Sequence, residues 1–366
     1  MGNNSQLVLS ERFSRAGIHH CPIHYSRKEL PYYINTVLSI RYKSFIFETR
    51  FKSSRSIIMA IVLISGGTGM IGSHLSQHLI ERGYEVIILT RDKNKSSQNP
   101  NIFYSYWNVE KSIIDVDVVR KADHIIHLAG AGVMDKKWTE AYKKVILSSR
   151  TKSAELIITC LKDHDHHVKS FVSASAIGWY GEDEKKLKNK KEFIETDLAT
   201  DDFLGKTTLL WEASTDPVTS LGIRLIKLRT GIVLSNDGGV LKEYKMPLRF
   251  GVAPVLGNGK QTVSWIHIDD LCRMYCEAIE NIYLNGSYNA VAPHPVPQKI
   301  LILSLAEKLR NNFFIAVYVP AFLLKLRFGK RSIEILKSAT VSSKKITSAG
   351  FTFLYPTVDA ALNELV

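Results

Sequence analysis

The chain has 366 residues, of which 45% are hydrophobic and 23% charged. That composition excludes disorder along the whole length and allows two or three domains. Four cysteines (Cys21, Cys160, Cys272, Cys276) without a CxxC pair exclude a disulfide scaffold and fit a reducing, cytoplasmic setting. The net charge of +13 suits an anionic ligand. No basic face carries interleaved aromatics and no zinc-finger or helix-turn-helix spacing occurs, so no nucleic-acid partner is expected.

Residues 1–58 hold nine Lys/Arg against three Glu and show no sustained period. They read as a basic N-terminal extension, disordered or not native to the protein. Their Arg and Ser content also partly matches a transit peptide. From Met59 onward, strand and helix patterns alternate. Ala60–Ser65 is a buried strand, followed by a Gly-rich turn and a helix over Ile71–Arg82 that Gly83 stops. Strands follow at Glu85–Thr90, Phe103–Trp107 and Asp123–Leu128, then a long helix over Trp138–Leu161. Further strands fall at Ser170–Ser175 and Arg224–Leu228. Between them, Glu182–Ala199 reads as an exposed insertion and Asp202–Leu221 as a helix. The repeated units predict a doubly wound parallel Rossmann sheet over 59–231. After Gly231 the pattern loosens into a smaller C-terminal α+β substrate-side domain, 232–366. It has helices at Ile268–Ile282 and Ile300–Leu309, a strand at Phe314–Val319, a helix at Pro320–Phe328, and a small terminal domain over about 315–366. The longest apolar runs, 57–64 and 313–324, fall short of the roughly 20 residues of a membrane span, so no membrane partner is expected.

Gly66-Gly67-Thr68-Gly69-Met70-Ile71-Gly72 carries the chemistry. It satisfies both GxGxxG and GxxGxxG, follows a strand, opens a helix and precedes a second strand. Small residues there let backbone N–H groups approach a pyrophosphate at the helix N-terminus. The second strand ends in Leu89-Thr90-Arg91, with no acid in the place that takes a ribose 2′-hydroxyl. Arg91 suits a 2′-phosphate, or it belongs to a solvated basic loop with Lys93 and Lys95. NADP(H) is therefore expected as cofactor before NAD(H). Asn108, after the third strand, and Leu128-Ala129-Gly130, closing the fourth, are the remaining expected cofactor contacts.

The strings GGTGMIG, HLAGAGV (127–133), SASAIGWYG (173–181), LRTGIVL (228–234) and SWIHIDDL (264–271) resemble the extended or atypical short-chain dehydrogenase/reductase superfamily. More narrowly, they resemble its NAD-dependent epimerase/dehydratase-like members, often labelled sugar-nucleotide epimerases. The resemblance covers about residues 59–366. It implies a Rossmann domain, bound NADP(H), a substrate cleft beneath the C-terminal part and a homodimer, but no defined substrate; a sugar-nucleotide-like or small carbonyl substrate is the expectation if the protein is an enzyme. Active members of the superfamily use a YxxxK dyad. Here those two positions hold Leu204 and Thr208, as in the atypical branch. That leaves two readings, an oxidoreductase or epimerase-like enzyme and a non-catalytic NADP(H)-binding regulator.

Ser175 and Tyr180 are the catalytic candidates. Ser175 sits at a strand end facing the crevice, where it meets substrate or caps a turn. Tyr180 replaces the missing acid/base or packs under the cofactor. On the substrate side, Lys260 and Gln261 in the Gly257–Gln261 loop resemble a diphosphate-holding loop or form an exposed turn. His267 borders the cleft, with Asp269 as a natural helix cap. His127 reads as a core histidine. No metal is expected, because His164-Asp165-His166-His167 reads as a solvated loop. A protein truncated to residues 59–366 is expected to fold and to bind dinucleotide. Cooperative melting and nucleotide titration check this, and a truncated chain that cannot fold would show that residues 1–58 complete the core.

Overall fold

The computed structural model describes residues 59–183 and 192–366. The expectation for residues 1–58 lies outside the described residues, as do 184–191 of the anticipated insertion.

The first strand, β1 (Ile61–Ser65), is almost wholly buried because its apolar, β-branched run lies between two helical layers. Helix α1 (Met70–Glu81) follows the Gly-rich turn, then β2 (Glu85–Thr90), β3 (Ile102–Tyr106), α2 (Val116–Lys121) and β4 (His124–His127). Helix α3 (Glu140–Asp163), β5 (Ser170–Ala176), α4 (Phe203–Thr215) and β6 (Arg224–Thr230) complete the second half. Past them come β7 (Ile232–Leu234), α5 (Gly239–Leu248), β8 (Val252–Leu256), β9 (Thr262–Val263), β10 (Trp265–His267) and α6 (Ile268–Glu280). Then follow β11 (Gly286–Ala290), β12 (Val296–Pro297), α7 (Gln298–Arg310), β13 (Ile315–Val319) and α8 (Ala321–Phe328).

Seven strands form one sheet in the order β3-β2-β1-β4-β5-β6-β11, and every neighbouring pair is parallel. The strand order reverses between β1 and β4, so the crevice at their carboxyl ends is the natural ligand site. Helices α1 and α6 pack one face of the sheet through Leu75, Leu79, Leu271 and Tyr275. Helices α2 and α3 cover the other through Val119, Ile157 and Leu161. The expected doubly wound fold is what forms.

The smaller C-terminal part has its own core of Leu241, Leu248, Trp265, Leu301 and Leu305, joined by Leu362 and Leu365 of the terminal helix Val358–Leu365. Ile346, Phe351 and Phe353 instead enter the core beneath the large sheet. The fully buried Asp270 of α6 holds that segment by accepting from the backbone N–H of Leu354 (2.8 Å) and Tyr355 (2.9 Å).

Several elements differ from the sequence reading, and three of them bear on the site. Strand β11 escapes notice because Gly-Ser-Tyr-Asn-Ala has no apolar run, and its place beside β6 is set by tertiary pairing. Helix α5 begins at a glycine pair and contains Pro247, both signs of a loop. The described end of the anticipated insertion is exposed at Ile194, Thr196 and Leu198, yet anchored at Glu195. There Glu195 Oε1 accepts from Asn289 N (2.9 Å), and its carbonyl accepts from Arg229 Nη1 (3.1 Å). No described helix is long and apolar enough to cross a membrane.

Candidate dinucleotide and substrate site

The Gly-rich turn is built by close approach. Gly66 has φ +75°, and a Cβ there would lie 2.8 Å from the backbone of Leu128 and Ala129. The turn thus presses on the end of β4. A Cβ on Gly72 would lie 2.5 Å from Gly67 Cα, so this glycine exists for helix-on-turn packing. Gly69 differs, because its Cβ would meet only Gly66 O, at 3.4 Å, an ordinary contact. Its smallness serves no packing inside the chain and leaves space on the outer side. Gly69 is also the N-cap of α1 and offers no side-chain acceptor, whereas Thr139 and Asp202 cap α3 and α4. The first-turn N–H groups of α1 therefore have no side-chain cap and suit an anion. Thr68 is exposed, and Met70 and Ile71 are half-buried.

At the end of β2, Arg91 is exposed and has no ionic or hydrogen-bonding partner among the described residues. Its neighbours are engaged. Asp92 Oδ1 accepts from Asn94 N (2.9 Å), and Lys93 Nζ lies 4.8 Å from the Tyr106 ring centroid. Asn108 closes its own turn, with Oδ1 accepting from Lys111 N (3.0 Å) and Nδ2 3.4 Å from Tyr106 Oη. That use of its amide competes with any contact to the cofactor.

Leu128, Ala129 and Gly130 lead away from β4 beside the Gly-rich turn and are half-buried to exposed. His127 beneath them is a core residue, with Nδ1 2.6 Å from Ser65 Oγ. Burial pushes its pKa down to about 4, so the ring is neutral. Leu204 and Thr208 face Gly178 just past β5, where a Cβ on Gly178 would meet Leu204 Cβ at 3.3 Å and Thr208 Cγ2 at 3.9 Å. Neither side chain can do the work of a Tyr–Lys pair.

The catalytic candidates lie in a buried polar network. Ser175 Oγ donates to Glu212 Oε1 (2.7 Å). Glu212 also accepts from Arg229 Nε (2.8 Å) and Nη2 (3.0 Å). Arg229 Nη1 donates to Tyr180 Oη (3.1 Å), which in turn donates to Asn289 Oδ1 (2.7 Å). Tyr180 is fully buried and stacked on Phe193, and burial pushes its phenol up to about 12. Of the alternatives open for Tyr180, packing is the one these surroundings match, and Ser175 spends its proton on Glu212 rather than on a ligand. Sequence reasoning missed Arg229 and Glu212. The available signal was two cations, Lys227 and Arg229, inside an apolar strand, with an acid on the next helix toward the N-terminus.

On the substrate side, Lys260 is exposed, with its N–H tied to Asn258 Oδ1 (2.9 Å). Gln261 folds back, donating to Leu256 O (3.0 Å). His267, not Asp269, caps α6, because its Nδ1 accepts from Asp269 N (3.1 Å). The ring is 1% exposed and packs on Tyr355 at 3.9 Å, and burial lowers its pKa. Residues 331–341 strap together loops that follow the strand ends. Arg331 Nη1 donates to Met134 O, Lys337 Nζ to Asp202 Oδ2 (3.1 Å), and Ser338 Oγ to Asp183 Oδ2 (2.7 Å). No three His, Cys, Asp or Glu side chains gather as a metal site among the described residues.

The arrangement fits a dinucleotide: an α1 N-terminus without a side-chain cap, outward space at Gly69 and a free cation at Arg91. Comparison with known proteins agrees. The NAD dependent epimerase/dehydratase family profile matches residues 62–203, and a domain of unknown function matches 319–365. An epimerase family protein of Staphylococcus haemolyticus is 34% identical over 307 residues, covering 83% of this chain and 98% of that protein. The crystal structure of human epimerase family protein SDR39U1 with NADPH is similar, at 26% identity and TM-score 0.71, covering 83% of this chain and 98% of that one. A nucleoside-diphosphate sugar epimerase from Corynebacterium glutamicum has 28% identity and TM-score 0.66, over 84% of this chain and 58% of that one.

Two glycine substitutions separate binding from packing. Gly69→Val is expected to keep the melting temperature and abolish dinucleotide binding in a calorimetric titration. Gly72→Ala is expected to destabilise the fold by about 1–3 kcal/mol, read by denaturant unfolding. Unchanged affinity in Gly69→Val would remove the turn from the binding site.

Proposed function

The chain belongs to the NAD-dependent epimerase/dehydratase family, and on that premise we propose that it binds NADP(H) where the strand order reverses and acts as an oxidoreductase or epimerase-like enzyme of the atypical short-chain type. Its substrate is a small carbonyl or a sugar-nucleotide-like molecule held beneath the 331–341 strap. The observation that carries the cofactor reading is the combination of an α1 N-terminus without a side-chain cap and an unpartnered Arg91 at the end of β2. A 2′-phosphate matches the guanidinium fork, and no acid stands at the strand end to prefer a ribose hydroxyl. The NADPH in the human relative's structure supports this reading. When bound, the nicotinamide supplies hydride transfer. The chain's own part is to hold the pyrophosphate on the α1 N–H groups and the 2′-phosphate on Arg91.

A second reading, a regulator that binds NADP(H) without turnover, is favoured by one observation. Leu204 and Thr208 occupy the dyad positions, and Ser175 and Tyr180 are committed inside the buried network. Mass analysis of the nucleotide that co-purifies with the protein tests the binding shared by both readings. NADPH consumption across a panel of carbonyl compounds then separates them. Turnover with any member supports the enzyme, and binding with no turnover supports the regulator.

Arg91→Ala is expected to weaken NADPH by roughly ten- to a hundredfold, the range of one charged hydrogen-bond contact, with little change for NADH. Adding Thr90→Asp should invert the preference. Equal losses for both cofactors in a fluorescence titration would defeat the NADP assignment.

A further inference from the structure

Arg150 lies midway along α3, beside the end of β4. A Cβ on Gly130 would come within 3.0 Å of its Cζ. The guanidinium stacks over Trp211 of α4, with Cζ 4.9 Å from the ring centroid. Nη1 donates to two carbonyls, Ala131 O (3.0 Å) and Ile146 O (2.8 Å). No carboxylate pairs with it among the described residues, and its ionisable neighbours include the phenol of Tyr142 and the neutral His127. Loss of solvent pulls its pKa down to about 10, which leaves it fully charged at neutral pH. Trp211 is only 6% exposed, and its Nε1–H has no acceptor among the described residues. Two donor-only groups, one of them cationic, therefore stand together without an anion. The contrast with Arg229, which holds both oxygens of Glu212, is complete. A largely buried charge is ordinarily neutralised by a carboxylate, so one held only by carbonyls and an aromatic face beside a ligand crevice keeps its net charge toward what enters it.

The geometry gives that charge a direction. The Gly-rich turn after β1 takes the pyrophosphate, and Arg91 after β2 marks the adenosine side. On that reading, the nicotinamide half would lie on the β4 side of the reversal point. The oxidised nicotinamide ring carries a positive charge and the reduced ring is neutral. Arg91 and the α1 N-terminus meet the same phosphates in either form, so neither distinguishes them.

Building on the NADP(H) reading above, we propose that Arg150 sets the redox preference of the dinucleotide site, repelling the cationic oxidised nicotinamide and so favouring NADPH over NADP⁺. At an effective dielectric of about 20, like unit charges within about 12 Å of one another shift affinity by about tenfold or more.

Calorimetric titration of the full chain with NADP⁺ and with NADPH tests this. The unsubstituted protein is expected to bind NADPH about tenfold tighter or more. Arg150→Met, which removes the charge, should collapse most of that ratio, chiefly by strengthening NADP⁺. Arg150→Lys, which keeps the charge, should retain most of it. Arg150→Gln provides a second neutral variant where the Met protein does not fold. Equal affinity for the two forms in the unsubstituted protein, or an unchanged ratio in a folded neutral variant, overturns the proposal and leaves the NADP(H) reading standing. Failure to bind either form would overturn that reading, and this proposal with it.

Discussion

The β5–β6 side of the crevice depends on one ion pair, Arg229 with Glu212, whose side chains are 4% and 6% exposed. Arg229 comes from β6 and Glu212 from α4. Through them are tied Ser175 of β5, Tyr180 after β5 and the carbonyl of Glu195, with Asn289 of β11 joined through Tyr180. Trp179 lies beneath the guanidinium, 3.7 Å from Cζ to the ring centroid. Removing one partner of such a pair leaves an uncompensated buried charge and costs about 3–5 kcal/mol. The pair therefore fixes the relative position of three sheet strands and a helix at once. Hydroxyls that another arrangement would present to substrate are here used to satisfy it.

The two halves of the crevice use cations in opposite ways. Arg91 is exposed and free to meet a ligand phosphate in water, where screening limits its strength. Arg229 is dry and fully paired, so it organises structure and projects little net field. Arg150 is half-buried and has no carboxylate partner among the described residues, the combination in which a charge acts at range. Position along the sheet, from β2 to β4 to β6, thus tracks a change from contact to field to scaffold.

Much of the fold was legible in the sequence because its signals are local. The buried run Ile61–Ser65, the glycines after it and the strand Glu85–Thr90 each announce themselves within a dozen residues. What stayed illegible is set by partners far along the chain. Strand β11 has no apolar signature and is a strand because β6 pairs with it. Ser175 and Tyr180 looked available because Glu212, 37 residues from Ser175, and Asn289, 109 from Tyr180, do not show as their partners in one dimension. Arg150 reads as an ordinary helical arginine until the stack on Trp211 and the carbonyls of Ala131 and Ile146 are seen. The cofactor end of the site is a sequence-local motif, and the rest of the site is a product of tertiary packing.

The placement of Phe351 and Phe353 bears on how the molecule reaches this state. Both join Val62 and Ile64 in one core, across nearly 300 residues of chain. Closing so long a loop exacts its entropy before the contacts repay it, which slows the search. During synthesis, the N-terminal half of the sheet emerges first, and its apolar flank stays incompletely covered until Phe351 and Phe353 have left the ribosome. Over that interval, exposed strand faces are open to aggregation. Late arrival of the two phenylalanines thus makes the completion of this core, rather than the formation of the sheet, the step most exposed to competition from aggregation.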